Sequence, residues 1–429
     1  MSSESFALTL QNCTVPVAVL GEAGGALQKL DIDIVDGQIA ALRPVGSKPA
    51  SGAVRDLDGG LVLPCLADIH THLDKGHIWP RTANPDGTWF GALMAVMGDR
   101  ESRWAAQDVE RRMDFALRCA YAHGTAAIRT HLDAAPPQHE ISFAVFETMR
   151  ERWADRVELQ AVALVGPDTL LDPAALDAVA QQAKRSGGIL GGSIAVHPEA
   201  RAAIFAAVQK AGELGLDLDL HTDETLAPES SALRHLADAV LETGFQGRAL
   251  AGHCCVLSVQ EDPVWRRTID RVAEAGISVV SLPMCNIFLQ DRAAPRTPRY
   301  RGVTLVNELK AAGVKVALAS DNTRDPFYAY GDLDMIEVFR ESVRIAHLDY
   351  PQDSAWTWAR AASADACDIT GFDYRGMIRE GAPADLILLR ARSWTELMSR
   401  PQSDRIVLRA GRPIDSTLPD YRELDELME

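Results

Sequence analysis

The segment Ile69-His70-Thr71-His72 is the strongest chemical signal in the chain. Two histidines at i and i+2 of a strand project from the same face, so both imidazoles can reach one metal ion. His221, His253 and Asp321 recur further along, each at the end of an apolar run. His221 is followed by Thr222-Asp223-Glu224. A carboxylate just past a ligand can lean over the metal and shuttle protons, provided it does not coordinate. A divalent ion lowers the pKa of a bound water from about 15.7 toward 7, so this set points to metal-assisted hydrolysis.

Such residues need a scaffold that brings several strand ends together. Apolar strand candidates lie at 61–69, 125–132, 157–165, 189–196, 216–221, 249–253, 277–283 and 314–319. Helical patterns separate them, for example at 107–122, 173–185, 199–214, 230–243 and 263–275, with another at 335–347 after the eighth strand. This alternation predicts an α/β fold, a (β/α)8 TIM-like barrel whose chemistry sits at the C-terminal strand ends. A doubly wound sheet would need a glycine-rich phosphate loop after the first strand, and residues 67–75 contain none.

Both chain ends have a different texture. Short β-prone runs at 8–13, 17–20, 30–34 and 38–42, with an Asp36-Gly37 hairpin signal, are echoed at 384–389, 405–408 and 412–414. Residues 1–60 and 380–429 are therefore read as one discontinuous small β-sandwich domain, and 61–379 as the barrel.

Composition restricts the partners. Lys+Arg 43 against Asp+Glu 60 gives a net charge of −17, a sign repelled by nucleic acid and by anionic membranes. A small neutral or cationic substrate is compatible with it. Seven scattered cysteines without a CxxC pair read as buried thiols of a reducing compartment. Residues 1–10 lack a basic leader region and no apolar run reaches about 18 residues, so a cytoplasmic location is expected.

These residues resemble the amidohydrolase superfamily, and within it the cytosine deaminase branch. The match rests on His70-Thr71-His72, His221-Thr222-Asp223-Glu224, His253 and Ser320-Asp321-Asn322. Arg129-Thr130-His131-Leu132-Asp133, Asn286-Ile287-Phe288-Leu289-Gln290 and the closing Gly381-Ala382-Pro383-Ala384-Asp385-Leu386 add to it. The resemblance implies one divalent metal, Fe(II) or Zn(II), held by His70, His72, His221 and Asp321. A two-metal centre would need a carboxylated lysine on the fourth strand, and 189–196 has no lysine. The resemblance further implies that His253 and Asp321 orient the water and take its proton. Glu224 would protonate a ring nitrogen and then the departing amine. A homo-oligomer is expected on the same grounds.

One departure bears on the substrate. Gly166 stands where cytosine deaminases place a glutamine that reads the ring's polar edge, while Gln160 belongs to the strand body. Gly166, Asn322 and Phe327 are expected to line the substrate pocket. The expected reaction is deamination of cytosine or a substituted cytosine such as 5-methylcytosine. Removal of an amino or alkylamino group from a triazine is the alternative, and a non-catalytic scaffold the remote one. Ring-opening amide hydrolysis is disfavoured by the missing lysine. His197-Pro198-Glu199 matches the H-x-E of nucleic-acid deaminases without their P-C-x-x-C, so His197 reads as structural. Lys75 lines the pocket or forms a salt bridge; His77 and His131 are open between packing and pocket roles.

Overall fold

The computed structural model describes residues 6–49 and 52–429. Eight parallel strands form one sheet in sequence order: β1 (Leu66–Thr71), β2 (Thr125–Asp133), β3 (Glu158–Leu164), β4 (Ile189–Ile194), β5 (Asp217–Thr222), β6 (Ala249–His253), β7 (Ser278–Ser281) and β8 (Val316–Leu318). A parallel bridge between Thr71 and Asp321 joins the first strand to the chain leaving the eighth. There the Asp321 N–H donates to His70 O at 2.9 Å. The architecture is the expected (β/α)8 barrel. Its strands are buried along nearly their whole length, as parallel strands covered by helices must be.

Two further four-stranded sheets are built from the terminal segments. One runs Gln38–Pro44, Leu27–Val35, Ala7–Pro16, Ala53–Asp56 in spatial order, the other Arg412–Pro413, Ile406–Arg409, Leu386–Leu388, Val62–Pro64. The apolar run at 61–69 is thus divided: Val62–Pro64 pairs antiparallel with Leu386–Leu388, and Leu66–Thr71 enters the barrel. The strand expected at 17–20 is instead the single helical turn Val17–Leu20, closed by Gly21 at φ 93°.

Two compact units result. One comprises the described residues up to Ala67, Cys119–Ala127 and Asp334–Leu418; the other comprises Asp68–Arg118, Ile128–Leu333 and Pro419–Glu429. Residues 334–379 thus group with the terminal sheets, where Arg405 pairs with Asp334 at 2.6 Å. The last eleven residues group with the barrel, where Arg118 pairs with Glu423 at 2.6 Å. Among the described residues no helix is long and apolar enough to cross a membrane. All seven cysteines are buried.

One helix near the site was not anticipated. The segment Trp89–Arg103, here α1, precedes Ala106–His123, here α2. Thr88 caps the N-terminus of α1 by accepting from Gly91 N–H at 2.9 Å. Arg81 fixes its far end, bonding Asp99 of α1 at 2.8 Å and Asp108 of α2 at 2.5 Å.

Candidate active site

Alternation along β1 aims Asp68, His70 and His72 at the barrel interior. Asp68 accepts hydrogen bonds from the Ser320 hydroxyl and, at 3.0 Å, from its N–H, which fixes the backbone just before Asp321. His70 needs space from a neighbour: a Cβ at Gly252 on β6 would lie 2.9 Å from its Cε1. Deeper in the barrel, Arg129 links Asp219 at 2.9 Å and Gln160 at 2.8 Å, so Gln160 serves a cross-strand polar layer.

Above that layer four side chains converge. His70 Nε2 is 3.1 Å from His221 Nε2, and His221 Nε2 is 3.2 Å from His72 Nε2. Asp321 Oδ1 lies 3.2 Å from His72 Nε2 and 3.6 Å from His70 Nε2. One donor atom from each of the four falls within 4.8 Å of the others, and all four residues are buried. Burial, foremost, and the neighbouring cationic groups hold all three imidazoles well below the usual histidine range. Neutral imidazoles with lone pairs aimed at one point, beside a carboxylate, fit a divalent transition metal.

Next to this cluster, Glu224, His253 and Asp321 form a second grouping. Glu224 Oε1 is 3.6 Å from His253 Nδ1, and Glu224 Oε2 accepts from the Trp89 indole at 2.8 Å. Burial pushes the Glu224 carboxyl up to about 7, against the opposing pull of the Trp89 N–H and the Lys75 ammonium. Burial and, secondarily, Lys75 push His253 down to about 3, so its ring is neutral. Asn286 Nδ2 approaches His253 Nδ1 at 2.9 Å; with that amide donating, the His253 proton sits on Nε2. The backbone is left-handed at His253 (φ 68°) and Asp321 (φ 70°), a costly conformation concentrated at functional sites. Asp223, also left-handed at φ 54°, accepts from Ser230, Ala232 and Leu233 and so pins the turn that carries Glu224.

A cavity of about 180 Å³ opens over these groups, more than ten times the ~10–15 Å³ that one water requires. His72, His221, His253 and Glu224 are among its polar lining, while Trp89, Leu93, Val96, Leu164, Val165 and Phe327 supply apolar walls. Gly166, Asn322 and Phe327 all line it. Gly166 is extended (φ −81°, ψ 170°), and a Cβ there would meet nothing within 4 Å.

The residues left open also find places. Lys75 lines the cavity, 3.9 Å from Asp133 and 4.9 Å from the centre of the Phe327 ring. His131 lies beneath the cluster, its ring centre 4.0 Å from that of His70 and its Nε2 3.6 Å from Asp219. His77 packs on Phe115, ring centres 4.9 Å apart, and His197 lies 3.7 Å from Asp168; neither lines the cavity. Sequence reasoning missed Trp89, Arg100 and Asp133 as cavity-lining groups. Only Trp89, Leu93, Val96 and Arg100, at spacings of four, three and four, carry a retrospective signal of one helical face.

Comparison with known proteins settles the ancestry. The amidohydrolase family model matches residues 116–415. The chain belongs to the amidohydrolase family. A pterin deaminase of Rhizobium rhizogenes (strain K84) is 54% identical over 423 residues, 98% of this amidohydrolase and 96% of the relative. The crystal structure of 5-methylcytosine deaminase from Klebsiella pneumoniae superposes with a TM-score of 0.81 at 22% identity, covering 95% and 97% of the two chains. N-isopropylammelide isopropylaminohydrolase from Burkholderia multivorans gives a TM-score of 0.75 at 26% identity, over 96% and 100%. This amidohydrolase is an aminohydrolase acting on a cyclic amidine, a hydrolytic deaminase of a heterocycle.

Proposed function

We propose that the substrate is a pterin, a 2-amino-4-oxopteridine, converted to the 2,4-dioxo product and ammonia. The observation that carries this reading is the 54% identity to a pterin deaminase across nearly the whole chain. The cavity is compatible: apolar walls suit the faces of a fused ring, and Gly166 leaves space where a side chain would shorten it. Cytosine and 5-methylcytosine, expected from the motifs, carry their amino group on a single ring, at a carbon beside one ring nitrogen, whereas a pterin carries it between two.

His70, His72, His221 and Asp321 would hold one divalent ion, Fe(II) or Zn(II), which when bound supplies activation of water. Glu224, whose carboxyl is pushed up to about 7, retains a proton near neutral pH and gives it to the ring nitrogen beside the amino-bearing carbon. That transfer makes the carbon electrophilic. Asp321 takes the proton released by the attacking water, and neutral His253 orients that water through a ring N–H. Glu224, now a carboxylate, takes the proton of the hydroxyl that the attack has placed on the carbon and passes it to the departing amine, so that the C–N bond breaks with loss of ammonia as the new carbonyl forms; the proton taken by Asp321 then restores Glu224.

An ammonia-coupled assay of pterin, cytosine, 5-methylcytosine and amino-triazines tests the reading. The expected result is the highest kcat/KM with pterin. A higher kcat/KM with any single-ring compound overturns it.

A further inference from the structure

We infer that Trp89 is a positioning residue that gives the two oxygens of Glu224 different tasks: its indole N–H holds Oε2 as an acceptor, leaving Oε1 to carry and deliver the proton. The inference rests on the reading of Glu224 as the proton shuttle. The indole donates to Oε2 at 2.8 Å, whereas Oε1 has His253 Nδ1 at 3.6 Å, beyond a good hydrogen bond. A protonated carboxyl that accepts at one oxygen and carries hydrogen on the other satisfies this arrangement. Rotation of the carboxyl would exchange the two oxygens and break the indole bond, so the bond also fixes the direction of transfer.

The indole is itself held from several sides. Trp89 opens α1 directly after the Thr88 cap. The Asn84 side-chain amide donates to Thr88 O at 3.0 Å and to Pro326 O at 3.1 Å, tying the start of α1 to the chain after β8. Phe327 meets the indole edge-on, ring centres 5.9 Å apart and planes at 71°. A group held in this way can hold another.

The test is steady-state kinetics of the metal-loaded enzyme with pterin. Trp89→Phe removes the N–H and is expected to lower kcat about ten- to hundredfold, the range of a hydrogen bond to an ionisable group, with KM within about threefold and metal content unchanged. A chain carrying 3-benzothienylalanine at position 89, in which sulfur replaces the N–H within a similar bicycle, should show the same loss. Placed in Glu224→Gln, Trp89→Phe should slow turnover by less than about twofold more, because no proton-carrying oxygen is left to orient. Wild-type kcat in the benzothienyl chain, a rise in KM alone, or losses that multiply fully in the double variant would overturn the inference. If Glu224→Gln itself turns over normally, the shuttle assignment has failed and the inference falls with it. If Glu224→Gln is slow while both position-89 variants are normal, the positioning role alone has failed.

Discussion

The strand ends beneath the cavity and the helix beside it are built by different rules. Every member of the convergent His70, His72, His221 and Asp321 set lies at, or within three residues of, the C-terminal end of a buried barrel strand, and hydrogen bonds between neighbouring strands fix its position. Trp89, Leu93, Val96 and Arg100 reach the same cavity from α1, which is secured mainly at its ends by Thr88, Asn84 and the Arg81–Asp99 pair. The first region is a rigid donor set, suited to holding a metal. The second presents to the cavity side chains that are outside that donor set, and so it can adapt to a substrate. If that division holds, substitutions among the strand ends abolish the reaction, while those at the cavity wall change its rate or its preference.

The largest effect is expected from His221→Ala. Losing one of the four proposed donors, all of them buried, should remove the metal and all measurable turnover while the barrel stays folded. Elemental analysis beside circular dichroism checks this, and chelation of the wild type should reproduce the loss. Retention of about one equivalent of metal in the variant would show that the strand ends are not the holding region.

Glu224→Gln is next. A lost proton shuttle typically costs about 10²–10⁴ in rate, and the variant should keep its metal because Glu224 is outside the His70, His72, His221 and Asp321 set. Metal analysis separates the outcomes. If the ion leaves with the carboxylate, Glu224 belongs to the holding region and the contrast between the two is wrongly drawn.

The two regions also differ in how far the sequence reveals them. Strand ends are legible because a polar residue closing an apolar run is conspicuous; β6 runs Ala249–His253 as the pattern predicts. The His70/His72 alternation likewise needs only the period of a strand. Helix α1 is obscured because Phe90 and Met94 are apolar on its exposed side and Gly91 and Gly98 interrupt it, so no clean 3.6-residue stripe emerges. The contact from Trp89 to Glu224 spans 135 positions, and no local pattern encodes such a distance. At Val17–Leu20 a β-prone composition lost to its flanks: Pro16 ends the strand, and Gly21 closes a single turn.

Gly252→Ala examines the rigidity of the strand ends with one methyl group. The added carbon would lie 2.9 Å from His70 Cε1, inside any comfortable contact, so the imidazole must tilt away from its donors. Metal affinity is expected to fall about 10- to 100-fold, as when the support of a ligand is lost. Competition with a chromophoric chelator reads this directly. Unchanged affinity would mean that the donor set tolerates movement, and that rigidity is not what sets it apart from α1.

The smallest effect is expected at the cavity wall. Gly166→Gln meets no steric barrier, because the residue is extended and its Cβ would contact nothing within 4 Å. The new side chain occupies space that a fused ring needs and offers an amide to a single ring's polar edge. One matched polar pair is worth about 1–3 kcal/mol in a dry site, so the ratio of cytosine to pterin kcat/KM should rise about tenfold or more, with metal content unchanged. Because the numerator and denominator come from the same enzyme preparation, partial metal loading cancels from the ratio. An unchanged ratio would place ring selection elsewhere on the wall, with Phe327 and Asn322 the next side chains to vary.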